Sequence, residues 1–294
     1  MKKKLWEKYA AWIFLLPWIV GFLSLTFVPM IMSFYYSFTN YNLLQPPKFI
    51  GIDNYIKMFT TDLHFNNALK VTFIYVFASV PLQLLVSLIL AFVLNKGIKG
   101  LSFFRAAFYI PSLLGGSVAI SILWRQIFGM NGILNMVLDV FGLNTGTSWV
   151  ANPKTAVWTL VILRMWQFGS PMIIFLAAVK QVPAELMEAA EIDGANKFQR
   201  TIRIMIPMIS PIILFNLVMQ IISAFKVFTE SYIISGGNGG VLDSLLFYTL
   251  HIYNEGFGKM RMGYASALAW FLVFIIGILT ALVFWISNKF VYYD

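Results

Sequence analysis

Residues 185–211 read ELMEAAEIDGANKFQRTIRIMIPMISP, a charged segment between two strongly apolar stretches. The segment contains four acidic residues and the bases Lys197, Arg200 and Arg203. Over all 294 residues, 60% are hydrophobic and 11% are charged, whereas a soluble domain has about 25% charged residues. We therefore expect a membrane to surround most of the chain and water to surround this segment.

Several chemistries are excluded by composition. The chain has no cysteine, and therefore no disulfide or thiolate chemistry. Its two histidines, His64 and His251, fall short of the roughly three or four ligands that a zinc site takes. The net charge of +9 is spread between apolar runs, which argues against a nucleic-acid partner. No G-x-x-x-x-G-K-[ST] phosphate loop occurs, so we expect no ATP hydrolysis by this chain alone.

Six apolar stretches are long enough for a membrane helix, which needs about 20 apolar residues. The first follows MKKK, but its apolar run is too long for a secretory signal peptide, so we expect it to be retained. The sequence thus predicts an all-α integral membrane protein with one transmembrane domain over residues 1–294. The predicted spans are residues 11–38, 71–94, 106–123, 156–179, 208–228 and 264–286.

The distribution of basic residues predicts the orientation. With the N-terminus inside, twelve Lys and Arg residues fall in inner segments and seven in outer ones. Inner loops carry the excess of positive charge in membrane proteins, so both termini and the loop at 180–206 are predicted to be cytoplasmic. Acidic residues are nearly absent from the spans, which argues against an ion-coupled carrier.

The charged loop reads as two short helices. Pro183 suits the first turn of a helix, and Glu185 and Glu188 then lie near its positive N-terminal end. Gly194 is a suitable C-terminal stop, and a second helix is predicted from about Asn196. The alternative is that this segment is an ordinary solvated amphipathic loop without a specific function.

The stretch EAAEIDGANKFQRTIRIMIPMISP resembles the cytoplasmic loop of permeases in binding-protein-dependent ABC importers. That family's pattern is E-A-A, then G after three residues, then I-x-L-P after about nine more. Ile206 stands in place of the family's leucine, and the DGA triplet is common in the carbohydrate-uptake branch. The residues that match are Glu188, Ala189, Ala190, Asp193, Gly194 and Ala195.

Other stretches resemble carbohydrate permeases of the maltose-permease-F-like type, namely residues 14–55, 109–135 and 235–270. The resemblance implies a heterodimer with a second, homologous permease, two copies of a cytoplasmic ATPase and an extracytoplasmic solute-binding protein. It implies a sugar or oligosaccharide as the substrate. It also implies that ATP and magnesium bind the ATPase, with no cofactor in this chain.

The resemblance also gives the loop a role as a cytoplasmic coupling helix between the fourth and fifth spans. Glu188 would pair with a basic residue of the ATPase, and Ala189 and Ala190 would let that surface approach closely. Gly194 would make the turn between the helices. A second hypothesis, which stays open, places the three basic residues that follow beside membrane lipid headgroups.

Polar residues in two spans predict a substrate path. In the fifth span they follow the spacing i, i+4, i+7, which places them on one helical face. Polar side chains at mid-membrane are costly against lipid, so these faces should point into the bundle. They would bind sugar hydroxyls beside an aromatic surface, or they would only join helices. The predicted substrate-binding residues are Arg164, Trp166, Gln167, Asn216, Gln220 and Ser223.

Three other functions remain as alternatives. A permease of the same superfamily for glycerol phosphate or oligopeptide would differ in substrate, and phosphate favours Arg-rich cavities. Only Arg164 and Lys226 supply positive charge within the predicted spans. A stand-alone carrier or channel would transport without an ATPase. An assembly subunit would have no polar path.

Overall fold

The computed structural model describes residues 2–95, 100–143 and 146–288, and for residues 2–9 and 11 it describes the backbone alone. In these ranges the regular secondary structure is helical, and the β-structure consists of two isolated β-bridges. The predicted all-α fold is confirmed. Lys96, Lys99 and Lys289, which contribute to the predicted charge bias, lie outside the described residues.

Sixteen α-helices occur in the described ranges, together with three π-helical turns and one 3₁₀ turn. The π turns are Leu23–Phe27, Thr201–Met205 and Asn254–Gly258, and the 3₁₀ turn is Val241–Asp243. The α-helices are α1 (Lys2–Phe22), α2 (Val28–Ser37), α3 (Asp53–Thr60), α4 (Phe65–Leu94), α5 (Leu101–Leu114), α6 (Val118–Ile127), α7 (Ile133–Val140), α8 (Ala156–Trp166), α9 (Gly169–Gln181), α10 (Ala184–Ile192), α11 (Lys197–Arg200), α12 (Ile206–Met208), α13 (Ser210–Phe225), α14 (Thr229–Ser235), α15 (Tyr248–Tyr253) and α16 (Met262–Ser287).

Four stretches of the described chain are long and apolar enough to cross a membrane, namely Trp12–Ser37, Phe65–Leu94, Ser210–Ser235 and Met262–Ser287. Two further candidates are bent pairs: α5 with α6, at 94°, and α8 with α9, at 41°. The number reaches the predicted six when each bent pair counts as one span.

The third predicted span, residues 106–123, consists of two helices joined by a sharp bend, and the bend was not predicted. α5 ends at Leu114, and the pair Gly115–Gly116 follows. The hydroxyl of Ser117 then accepts a hydrogen bond from the Ile120 N–H at 3.3 Å and caps a new helix. A serine N-cap stabilises a helix start, so the local sequence favours two helices over one.

The chain divides into two compact units. The first unit comprises Met1–Asp62 and Ile252–Val273. Within it, the Asn54 side-chain amide donates to the carbonyls of Ser37, at 2.9 Å, and Thr39, at 2.8 Å. The buried amide therefore ties α3 to the end of α2, where the helix has free carbonyl groups.

The first unit also contains a cluster of charges. The carboxylate of buried Glu255 accepts from Lys259 at 2.5 Å and from Arg261 at 3.3 Å. The Lys57 ammonium lies 4.4 Å from the ring centroid of Tyr264, a cation–π geometry. Burial lowers the pKa of Lys57, because the partly buried position disfavours the charged form.

The second unit comprises Leu63–His251 and Phe274–Asp294. Its central helix is α4, which packs against α8, α9 and α13. The buried face of α4 includes both aromatic and polar side chains, such as Tyr75, Ser79 and Gln83. This unit contains all the predicted site residues. The single domain over residues 1–294 stays a prediction.

Candidate functional site

The charged loop folds as its sequence predicts. α10 starts directly after Pro183 and ends before Gly194, which has a left-handed φ of +82°. The Gly194 N–H donates to the Glu191 carbonyl at 3.0 Å, and the Ala195 N–H donates to the Ala190 carbonyl at 2.9 Å. These two bonds form a Schellman motif, a stable way to end a helix. Glycine suits the turn because it adopts positive φ without strain.

A capping box starts the second helix of the loop. The Asn196 side-chain oxygen accepts from the Gln199 N–H at 2.9 Å, and the Gln199 side-chain oxygen accepts from the Asn196 N–H at 2.9 Å. Such reciprocal bonds satisfy two N–H groups that a helix start leaves free. The predicted start near Asn196 is confirmed. The π turn Thr201–Met205, which continues α11 towards α12, was not predicted.

α10 contains no buried residue in this chain. Glu188, Ala189, Asp193 and Gly194 are exposed, whereas Ala190 and Ala195 are half-buried. The side chain of Ile192 is 87% exposed, and this residue was not among the predicted site residues. The sequence signal that could have identified it is its position between two acidic residues, Glu191 and Asp193. α10 therefore presents small, acidic and apolar side chains together, a composition suited to contact with another protein.

Arg164, one of the residues predicted to line a substrate path, is buried and only 7% exposed. Its Nη2 donates to the Gln220 side-chain oxygen at 2.7 Å and to the Gln220 backbone carbonyl at 3.1 Å. The two bonds join α8 to α13. Arg164 and Gln220, two of the predicted path residues, are thus brought together by the fold.

Gln167 lies at the break between α8 and α9, and Pro171 explains the break. Pro171 has no N–H with which to bond the carbonyl four residues earlier, which belongs to Gln167. That carbonyl instead accepts from the Gln83 side-chain amide at 2.7 Å and from the Ser112 hydroxyl at 3.0 Å. Side chains from α4 and α5 therefore replace the missing helical bond.

The next carbonyl at the break, that of Phe168, accepts from the Ser87 hydroxyl at 2.9 Å. Gly169 follows, and a Cβ there would lie 2.3 Å from the Phe108 backbone oxygen. α5 therefore approaches α9 too closely for any other residue. Gln83, Ser87 and Ser112 were not predicted from the sequence, although Gln83 and Ser87 occupy i, i+4 positions of an otherwise apolar span.

The remaining predicted path residues have different surroundings. Trp166 is half-buried, with its ring centroid 6.0 Å from that of Trp124. Asn216 is buried, and its amide donates to the Ile212 carbonyl of its own helix at 2.9 Å. Ser223 is exposed, and Gln167 is half-buried with its side chain against Gly115. The predicted face of α13 thus runs from a buried to an exposed end.

The helices and the loop define a polytopic membrane protein with a charged helix–glycine–helix segment between two spans. Residues 65–291 match the model of the family described as "Binding-protein-dependent transport system inner membrane component". The chain belongs to this family. It is a multi-pass inner-membrane transport component, a permease rather than an enzyme, which confirms the resemblance seen in the sequence.

Three relatives named as permeases align with this chain over nearly its full length. The chain is 48% identical to the probable ABC transporter permease protein YesP of Bacillus subtilis over 288 residues, which cover 98% of this chain and 93% of YesP. It is 32% identical to the multiple sugar-binding transport system permease protein MsmF of Streptococcus mutans, with 98% of each chain covered. It is also 32% identical to the arabinooligosaccharides transport system permease protein AraP of Bacillus subtilis, covering 97% of this chain and 90% of AraP.

A solved structure has the same fold. A chain in the crystal structure of a bacterial alginate ABC transporter, in complex with an alginate pentasaccharide-bound periplasmic protein, superposes with a TM-score of 0.82. The match covers 97% of this chain and 98% of that chain, at 23% sequence identity. The two chains therefore share one fold over nearly their whole length.

Proposed function

We propose that this chain is one of two different membrane subunits of an ATP-driven importer for a sugar or oligosaccharide, delivered by an extracytoplasmic binding protein. The observation that carries the proposal is the exposed, acidic helix α10, closed by Gly194, in a chain of this family. Relatives named for multiple sugars, arabinooligosaccharides and lactose support a sugar as the substrate.

Both termini are cytoplasmic in this proposal, and α10 therefore faces the cytoplasm. The bias of basic residues towards the inner segments, twelve against seven, supports this orientation. α10 is then the coupling helix on which one of two ATPase subunits docks. ATP and magnesium bind that ATPase, since this chain has no phosphate loop.

Docking follows from the side chains of α10. Glu188 forms an ion pair with a basic residue of the ATPase, and Ala189 and Ala190 let the two surfaces approach closely. The exposure of Glu188 and Ala189 supports this assignment. When the ATPases close on ATP, the loops are drawn together and the membrane subunits change from inward-facing to outward-facing. ATP and the loaded binding protein each favour one of two states.

The substrate path uses the polar faces of the fourth and fifth spans. Arg164 occupies the side-chain oxygen of Gln220, which leaves the Gln220 amide nitrogen to donate to a sugar hydroxyl. Gln167 contributes a second side-chain amide, and Trp166 contributes an apolar ring face. Asn216 and Ser223 extend the polar face along α13.

Reconstitution in vesicles tests the proposal. Vesicles that contain this chain, its partner permease, the ATPase and the binding protein are expected to accumulate labelled oligosaccharide only with ATP. Omission of any one component should abolish uptake. Accumulation by vesicles with this chain alone would show a stand-alone carrier and contradict the proposal.

A further inference from the structure

The turn between α10 and α11 has few bonds that would carry a force from one helix to the other. Only residues 193–196 join the two helices, and Gly194 has a left-handed φ with no atom within 4 Å of a Cβ position. The Schellman bonds lie within the end of α10, and the capping box lies within the start of α11. Neither set of bonds joins one helix to the other.

Arg200 makes the bonds that cross this turn. Its Nη1 donates to the Glu191 carboxylate at 2.5 Å and to the Met187 carbonyl at 3.3 Å. Met187 and Glu191 are one turn apart on the same side of α10, so the guanidinium contacts the helix at two levels. The Arg200 side chain is only 11% exposed, whereas that of Glu191 is 66% exposed. The Arg200 guanidinium therefore lies against α10 and is largely shielded from water.

The backbone of Arg200 is continuous with the fifth span. Helical structure runs from α11 through the π turn Thr201–Met205 into α12, and α13 starts at Ser210. Met205 packs against the buried cluster of Ala178, Val179 and Ile209. A force applied to α10 thus reaches a packed part of the membrane domain through Arg200.

We propose that Arg200 is a positioning residue that fixes α10 to the base of the fifth span, so that the two move as one body. This inference rests on the proposed coupling function. We call the bonds from Arg200 to Met187 and Glu191 the brace. Without it, motion of a docked ATPase would bend the chain at Gly194 instead of moving α13. A charge-assisted bond from a largely buried guanidinium suits such a brace, because it is stronger and more directional than a neutral bond.

Arg203 provides a matched control. It is three residues further along the same helical segment and is exposed. Among the described residues, no hydrogen bond joins its side chain to α10. Its replacement removes the same charge and leaves the brace in place.

The test uses the complete complex, with both permeases and both ATPases, in lipid nanodiscs. The chain has no cysteine, so Glu185→Cys on α10 and Phe215→Cys on α13 place spin labels at those two exposed positions, with cysteine-free partner subunits. Pulsed electron paramagnetic resonance then gives the α10–α13 distance distribution with and without a non-hydrolysed ATP analogue. The backgrounds are wild type, Arg200→Ala, Arg203→Ala, Glu191→Arg, Arg200→Glu and the double swap Glu191→Arg/Arg200→Glu.

In wild type and in Arg203→Ala, we expect one narrow distribution that the nucleotide does not shift. In Arg200→Ala and in both charge-reversal variants, we expect a broadened distribution that shifts with nucleotide, and the double swap should narrow it again. An Arg200→Ala distribution as narrow as wild type, or a double swap no narrower than either single variant, would overturn the brace. ATPase content, measured on the same samples and on an additional Glu188→Lys complex, separates the two claims. Loss of ATPase from Arg200→Ala would make Arg200 a docking residue and overturn the inference, whereas normal ATPase content in Glu188→Lys would contradict the proposed function itself.

Discussion

The guanidinium of Arg164 bonds Gln220 twice, at its side-chain oxygen (2.7 Å) and at its backbone carbonyl (3.1 Å). These residues are 56 positions apart and belong to α8 and α13. The pairing fixes the orientation of the Gln220 amide, because its oxygen is committed to the cation. It also gives the Nη2 group of the buried guanidinium two acceptors, which offset part of the cost of burying the charge.

Replacement of Gln220 is expected to lower the stability of the complex. Gln220→Ala removes the side-chain acceptor of a buried guanidinium and should destabilise the complex by about 1–3 kcal/mol. Thermal unfolding of the purified complex measures this change. Gln220→Glu, which retains an acceptor, should restore most of the lost stability. Equal melting temperatures for wild type and Gln220→Ala would contradict the role of the pair.

Gln167→Ala is expected to behave differently. The hydrogen bonds of Gln167 that hold the helix break use its backbone carbonyl, which alanine retains. Assembly should therefore be normal while uptake falls, since the proposed contact between the Gln167 amide and the sugar is lost. Uptake kinetics, normalised to assembled complex, test this expectation. Gln126→Ala on α6, which removes an exposed amide, is the control and should leave uptake unchanged.

Gly169→Ala tests the close approach of α5 and α9. A Cβ at this position would lie 2.3 Å from the Phe108 oxygen and 2.7 Å from the Tyr109 Cα, and backbone atoms cannot move aside easily. We expect a loss of about 1–3 kcal/mol, or failure to assemble. Gly277→Ala, where no atom lies within 4 Å, is the matched control. Equal yields of the two variants would contradict the observed packing.

Ser112→Ala tests the hydrogen bonds at the break between α8 and α9. The Ser112 hydroxyl donates to the Gln167 carbonyl and accepts from the Ser170 N–H at 2.9 Å. Its loss should lower stability by about 1 kcal/mol for each bond left unmade. Chemical denaturation of the purified complex measures the difference. Ser112→Thr, which keeps the hydroxyl, should be closer to wild type than Ser112→Ala is.

Much of the fold follows from local sequence. The spans follow from apolar runs, and the end of α10 follows from Gly194, because these signals depend on neighbouring residues only. The break at Gln167 was not predicted, although Pro171 lies within that predicted span. The proline shows that one helical bond is lost, but the compensating donors, Gln83 and Ser112, come from other helices. Such long-range partners are not visible in a single sequence.

The predicted substrate-binding residues also show what a single sequence does not reveal. Helical spacing grouped Asn216, Gln220 and Ser223 on one face, but spacing does not give the depth of burial. The structure buries Asn216 and exposes Ser223, although Phe225, two residues further along α13, is buried against Phe73 of α4. Spacing also gave no sign that Arg164 bonds Gln220. The assignment of substrate-binding residues stays a prediction.

The central claim is that α10 docks the ATPase through Glu188. Co-purification of the ATPase with the affinity-tagged permease pair tests it most directly, in wild type, Glu188→Lys and Asp139→Lys. Asp139 is an exposed acid of α7, on the opposite side of the membrane in the proposed orientation. We predict that Glu188→Lys assembles with its partner permease but loses the ATPase, whereas Asp139→Lys retains it. A full complement of ATPase in the Glu188→Lys complex, with normal stimulation by the loaded binding protein, would contradict the account.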